Sequence, residues 1–151
     1  MKRILIATDG SSSAQEAVDL GLELAGPQDA VVTFVLVVPA FDVVPVGGFG
    51  STAATPHHVT ESETEPLALA REQAEEVGVA AHTRLLQGDP ADEIVAFADI
   101  IDADLIVVGS RGHGKLASAV LGSVSHGVLN EARRPVLVAR GTVRRPALVA
   151  V

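Results

Sequence analysis

The chain has 151 residues, 48% of them hydrophobic and 20% charged, which suits one globular domain and excludes a disordered polymer. Its 19 carboxylates against 11 lysines and arginines give a net charge of -8, so nucleic acid and anionic membrane, which both reward a basic face, are not expected partners. Without cysteine there is neither a disulfide framework nor a thiolate metal site, and no apolar run approaches membrane-spanning length, so a cytoplasmic protein is expected.

Lys2 to Thr8 (KRILIAT) is a compact apolar run that breaks into Asp9, Gly10 and three serines, the pattern of a buried strand turning into a helix. Ser11 to Ser13 supply the N-cap, and Ala14, Ala17, Val18, Gly21, Leu22 and Ala25 make one helical face that Gly26 and Pro27 end. Ala30 to Val38 is almost wholly β-branched and apolar, as parallel strands covered on both faces are. Residues 40–60 carry glycines, prolines and the pair His57 and His58 without a sustained period. They read as a flexible loop, with the two histidines side by side by chance of composition.

Ser62 and Glu65 have capping-box spacing just before Pro66 and predict a helix through Leu69, Ala70, Gln73, Ala74 and Val77 to Gly78. A strand over about Val79 to Leu86 follows. Gly88, Asp89 and Pro90 then repeat the loop, N-cap and N1-proline order before the helical face Ile94, Phe97, Ala98 and Ile101. Leu105 to Val108 is the next strand, and a glycine-rich loop with Gly109, Gly112 and Gly114 leads to Gly122 and Ser123, where the last helix starts. Arg133, Arg134 and Pro135 end that helix and introduce a strand at Val136 to Ala139. Residues 141–151 form a tail whose apolar end, Ala147 to Val151, has the composition of an edge strand.

Five strands alternating with helices predict an α/β fold: a single doubly wound domain over residues 1–140, with a five-stranded parallel sheet in the order 3-2-1-4-5 and helices on both faces. Ligands of such sheets bind at the carboxyl ends of the strands where the order reverses, which here places Asp9 opposite Gly109. No acidic residue lies between Asp104 and Glu131, whereas Arg111, His113 and Lys115 do, so an anion is least repelled there. Backbone amides around both glycine turns are expected to be free for phosphate.

Dinucleotide recognition fails for want of a G-x-G-x-x-G after any strand. Gly109 to Lys115 matches a Walker A loop until Leu116 stands where a hydroxyl is needed for magnesium. The spacing G-x2-G-x9-G-S from Gly109, Gly112, Gly122 and Ser123 resembles instead the ATP-binding branch of the universal stress protein family. The opening KRILIATDGS, the GDPADEIV loop and helix, and the closing RRPVLVA carry the likeness along nearly the whole chain. The resemblance implies that Ala7, Thr8 and Asp9 meet adenosine and phosphates, and that Val37 borders the adenine. It puts Val108 and Gly109 near the base and ribose, Arg111 and Gly112 along the phosphates, and Gly122, Ser123, Val124 and Ser125 around the phosphate chain. ATP is then the expected cofactor, with magnesium held at Asp9, and a homodimer through Val136 to Ala139 the expected assembly, alongside unidentified protein partners in a stress response.

Each residue also has a plainer reading: Asp9 as the cap of a turn, Ser123 as an N-cap, Arg111 and Lys115 as a solvated basic patch. His113 and His126 lack a ligand partner at fixed spacing, and His82 reads as a strand surface residue. No nucleophile, base and acid form a set, so at most weak ATP hydrolysis is expected. The rival readings are a nucleotide hydrolase or transferase and a dimeric scaffold that binds no nucleotide.

Overall fold

In the computed structural model, which describes residues 1–111 and 121–141, β1 (Arg3–Ala7) is the central strand. Ile4, Leu5 and Ile6 are fully buried because consecutive side chains point to opposite faces and both faces are covered. β2 (Val31–Val38) pairs with one side of β1 and β6 (Leu105–Gly109) with the other. β5 (Ala81–Gln87) and β7 (Val136–Ala139) complete a parallel sheet ordered β5-β2-β1-β6-β7. This is the expected 3-2-1-4-5 order once the two strands of a hairpin are counted.

α1 (Ser12–Ala25) and α2 (Glu61–Glu76) cover the face that carries Ile4, Ile6, Val32 and Phe34. α3 (Pro90–Ile100) and α4 (Ser123–Glu131) cover the face that carries Leu5, Val35, Ile106 and Val108. Those two helices approach closely: a Cβ on Gly127 of α4 would stand 2.6 Å from the Ala91 methyl of α3. α1 starts as expected, with the Ser11 hydroxyl accepting the Ala14 amide at 3.2 Å. α3 does likewise from Asp89, with Pro90 at its first position.

Three expectations are corrected. Residues 40–60 contain an antiparallel hairpin, β3 (Phe41–Pro45) and β4 (Thr52–Pro56), joined by a turn with Gly47, Phe49 and Gly50 at positive φ. α2 is capped by Thr60, not Ser62: the Glu63 carboxylate accepts the Thr60 amide at 2.8 Å, and Pro66 lies inside the helix. The proline packs on the turn after β1, where a Cβ on Gly10 would meet its Cγ at 2.9 Å.

His57 is no accident of composition. Its Nδ1 lies 2.8 Å from Asp42 Oδ1 on β3 and its Nε2 2.8 Å from Glu63 Oε1 on α2, so one imidazole fastens the hairpin to the helix. The hydrogen bond with Asp42, seconded by Glu63, holds its pKa above the ordinary histidine value. A neutral imidazole donates from only one nitrogen, so both contacts are favourable together only when the ring is protonated.

Candidate functional site: a cleft at the switch point

The pairing of β1 with β6 stops at Ile6 and Val107. Beyond that point β1 stays with β2 through Ala7 and Val35, and β6 stays with β7 through Gly109 and Ala139. The two central strands therefore part company at their carboxyl ends, and a cleft of about 440 Å³ opens between them. This is where the strand order reverses and where open α/β sheets receive ligands.

Ala7, Thr8 and Asp9 line the cleft from the end of β1, Val37 from β2, and Val108, Gly109 and Arg111 from β6 and the turn after it. Gly122, Ser123, Val124 and Ser125 line it from the start of α4. Gly112, with His113, Gly114 and Lys115, lies outside the described residues, as do residues 142–151.

The local bonds explain how these residues are held. Thr8 donates its amide to the Val35 carbonyl at 2.9 Å, and its hydroxyl oxygen accepts the Gly10 amide at 3.3 Å. Asp9 Oδ1 accepts the Ser11 amide at 2.9 Å, so the plain capping role exists alongside its place in the cleft wall. Gly109 is required by packing: a Cβ there would sit 2.5 Å from the Ser13 carbonyl oxygen in the first turn of α1. Ser13 Oγ in turn accepts the Arg111 amide at 3.0 Å and lies 3.3 Å from Ser110 Oγ. Ser125, buried at 2% exposure, donates its hydroxyl to the carbonyls of Gly109 at 2.9 Å and Ser110 at 3.2 Å, which pins α4 to the end of β6.

The amides differ from the expectation that both glycine turns leave them free. Those of Ser110, Arg111 and Gly122 are already bonded, to the Ala139 carbonyl at 2.9 Å, Ser13 Oγ at 3.0 Å and the Ser110 carbonyl at 2.7 Å. The open donors belong to α4. Its N-cap is Gly122 and not Ser123, and among the described residues no side chain caps its first turn. The positive end of the helix dipole, and first-turn amides that no described residue caps, thus lie at the cleft beside Ser123 and Val124.

Ala14, Val35, Pro90, Ile94 and Leu121 also line the cleft and were not singled out in the sequence. Strand alternation signals one of them, since Val35 shares a face with Val37. The wall near the sheet is thus apolar, while donors gather at α4 and Arg111. Asp9 is the single carboxylate in the lining, and among the described residues no group of three or more acidic or histidine side chains forms a metal cluster. One carboxylate suits magnesium only where phosphate oxygens and water supply the remaining ligands.

A family model described as the universal stress protein family matches residues 1–140. A universal stress protein of Methanocaldococcus jannaschii is 40% identical over 139 residues, covering 92% of this chain and 82% of that protein. Among solved structures, a universal stress protein in complex with cAMP is 25% identical with a TM-score of 0.69, covering 93% of this chain and 98% of that one. The fold is also that of the Archaeoglobus fulgidus universal stress protein in complex with dAMP: TM-score 0.67 at 24% identity, over 93% of this chain and 98% of that one.

Proposed function

Because the chain belongs to the universal stress protein family, we propose that it is an adenine-nucleotide-binding module that takes ATP, with magnesium, in the cleft between β1 and β6. One observation carries the reading. The described residues that the family likeness assigns to nucleotide, scattered from Ala7 to Ser125 along the chain, line a single cleft with an apolar wall and a donor-rich end. The adenine lies against Ala7, Val37 and Val108, and the phosphates lie at the first turn of α4 beside Arg111. The cAMP complex of a relative supports an adenine nucleotide as the class of ligand.

Several contacts have to act together. A partly buried helix N-terminus contributes about 2 kcal/mol at best, whereas micromolar affinity needs about 8 kcal/mol. Burial of about 150 Å² of base against aliphatic side chains adds about 4 kcal/mol before the cost of immobilising the ligand. Asp9, whose Oδ1 accepts the Ser11 amide, would hold magnesium together with phosphate oxygens and water, and among the described residues the lining has no second carboxylate to activate water. At most weak hydrolysis follows, and the protein acts by occupancy in a cytoplasmic stress response. β7, at the edge of the sheet with Val136, Leu137 and Val138 half-buried, is the surface for a homodimer.

Isothermal titration with ATP and magnesium tests the proposal. One site per chain is expected, and none in Gly122→Val. The φ of -64° and ψ of 162° at Gly122 suit any residue, so the backbone is not strained, and the poorer N-cap costs about 1 kcal/mol. Absence of heat at millimolar nucleotide would remove the proposal.

A further inference from the structure

A second recess lies on the α3 side of the sheet, at the end where β1 and β2 begin, and has a volume of about 430 Å³. Its rim carries Lys2, Arg3, His82 and Arg84. The parallel register explains the gathering: His82 pairs with Thr33 and Arg84 with Val35, so both side chains share the face that α3 packs on. The floor is apolar, formed by Val31, Phe97 and Ile101.

Backbone carbonyls orient both arginines. Arg3 Nη1 donates to the Ile101 carbonyl at 2.8 Å and Arg84 Nη1 to the Thr83 carbonyl at 2.8 Å. Among the described residues no ion pair includes Lys2, Arg3, His82 or Arg84, whereas Arg71 and Arg134 are paired with carboxylates. Asp29 is the one carboxylate in the lining, and Asp104 turns Oδ2 to the amides of Lys2 and Arg3 at 2.6 and 2.9 Å. In a chain of net charge -8 a recess rimmed by Lys2, Arg3 and Arg84 over an apolar floor favours an anion.

We propose that this recess is a binding site for a small organic anion with an apolar body, a carboxylate or sulfonate whose head meets Arg84 and whose body lies on Phe97 and Ile101. Arginine forks suit planar carboxylates, and an apolar floor with a few convergent charges is the usual make-up of a small-molecule site. The inference is independent of the nucleotide proposal, although α3 borders both cavities, with Ile94 on the upper and Phe97 and Ile101 on the lower.

Amide correlation spectra of the full chain, titrated with sodium octanoate and separately with sodium sulfate, test it. Octanoate should give saturable shifts at Thr33, Phe97 and Ile101, with affinity about tenfold weaker in Arg84→Gln. Arg71→Gln, an exposed change on α2 outside the recess, should leave the affinity as it was. Failure of octanoate to saturate, affinity unchanged from the wild type in Arg84→Gln, or sulfate binding as tightly as octanoate would overturn the proposal.

Discussion

Replacing Gly109 by alanine probes the joint on which the cleft rests. The added Cβ would stand 2.5 Å from the Ser13 carbonyl oxygen, 2.6 Å from its carbon and 2.7 Å from Ser13 Oγ. Two of these atoms are backbone in the first turn of α1, so no rotamer change relieves the contact. Either β6 or α1 must shift, and Ser13 Oγ then loses the Arg111 amide. Overpacking of this kind costs about 1–3 kcal/mol, and the rigid backbone neighbours place Gly109→Ala at the upper end, about 2–3 kcal/mol. For a chain of this length that lowers the melting temperature by roughly 5–10 °C. Thermal unfolding followed by circular dichroism measures it, with Gly26→Ala as the control. Nothing lies within 4 Å of a Cβ at Gly26 and its φ of -52° is helical, so that change should be neutral or slightly stabilising. Equal melting of wild type and Gly109→Ala would show that the turn after β6 does not lean on α1, and the back wall of the cleft would have to be redrawn.

Ser125→Ala removes the hydroxyl that bridges the Gly109 and Ser110 carbonyls and should cost about 1–3 kcal/mol in denaturant unfolding, with weaker nucleotide binding because α4 loosens. His57 has its pKa raised in the folded state, so its contribution is fully present below the unfolded value and is lost as pH rises through the folded one. Hydrogen exchange over residues 41–56 should therefore be slower near about pH 6 than near about pH 8 once the intrinsic pH dependence is divided out, and His57→Gln should abolish the difference. Glu131 has its pKa raised by the neighbouring Asp92 carboxyl, so the folded state binds its proton more readily and loses stability as pH climbs through that range. Glu131→Gln should accordingly raise the melting temperature at neutral pH and leave it unchanged in acid.

Much of the fold is written in local patterns. The strand ILIA, the run VVTFVLVV and the single apolar faces of α1 and α3 lie where alternation and helical spacing place them, and the order of elements leads to the sheet order. The hairpin is harder to read because its polarity is inverted. Phe41 and Val43 point to solvent at 62% and 72% exposure, so the alternation that marks a half-buried strand carries no core signal. Thr60 and Glu63 form a capping box with the same spacing as Ser62 and Glu65, and the overlap is decided in its favour because Glu63 also meets His57. The clamp on His57 joins residues 15 and 6 positions away, and no spacing rule announces it. In the cleft, sequence spacing brings out the glycines but not their separate duties: Gly109 permits strand and helix to touch, whereas Gly122 leaves a helix end uncapped.

A crystal structure of the protein grown with saturating ATP and magnesium tests the central claim most directly. The account predicts density in the cleft between β1 and β6, with the base against Ala7, Val37 and Val108 and the phosphates at the amides of Ser123 and Val124. Nucleotide bound elsewhere, or that cleft filled only by water while ATP saturates the solution, would contradict it.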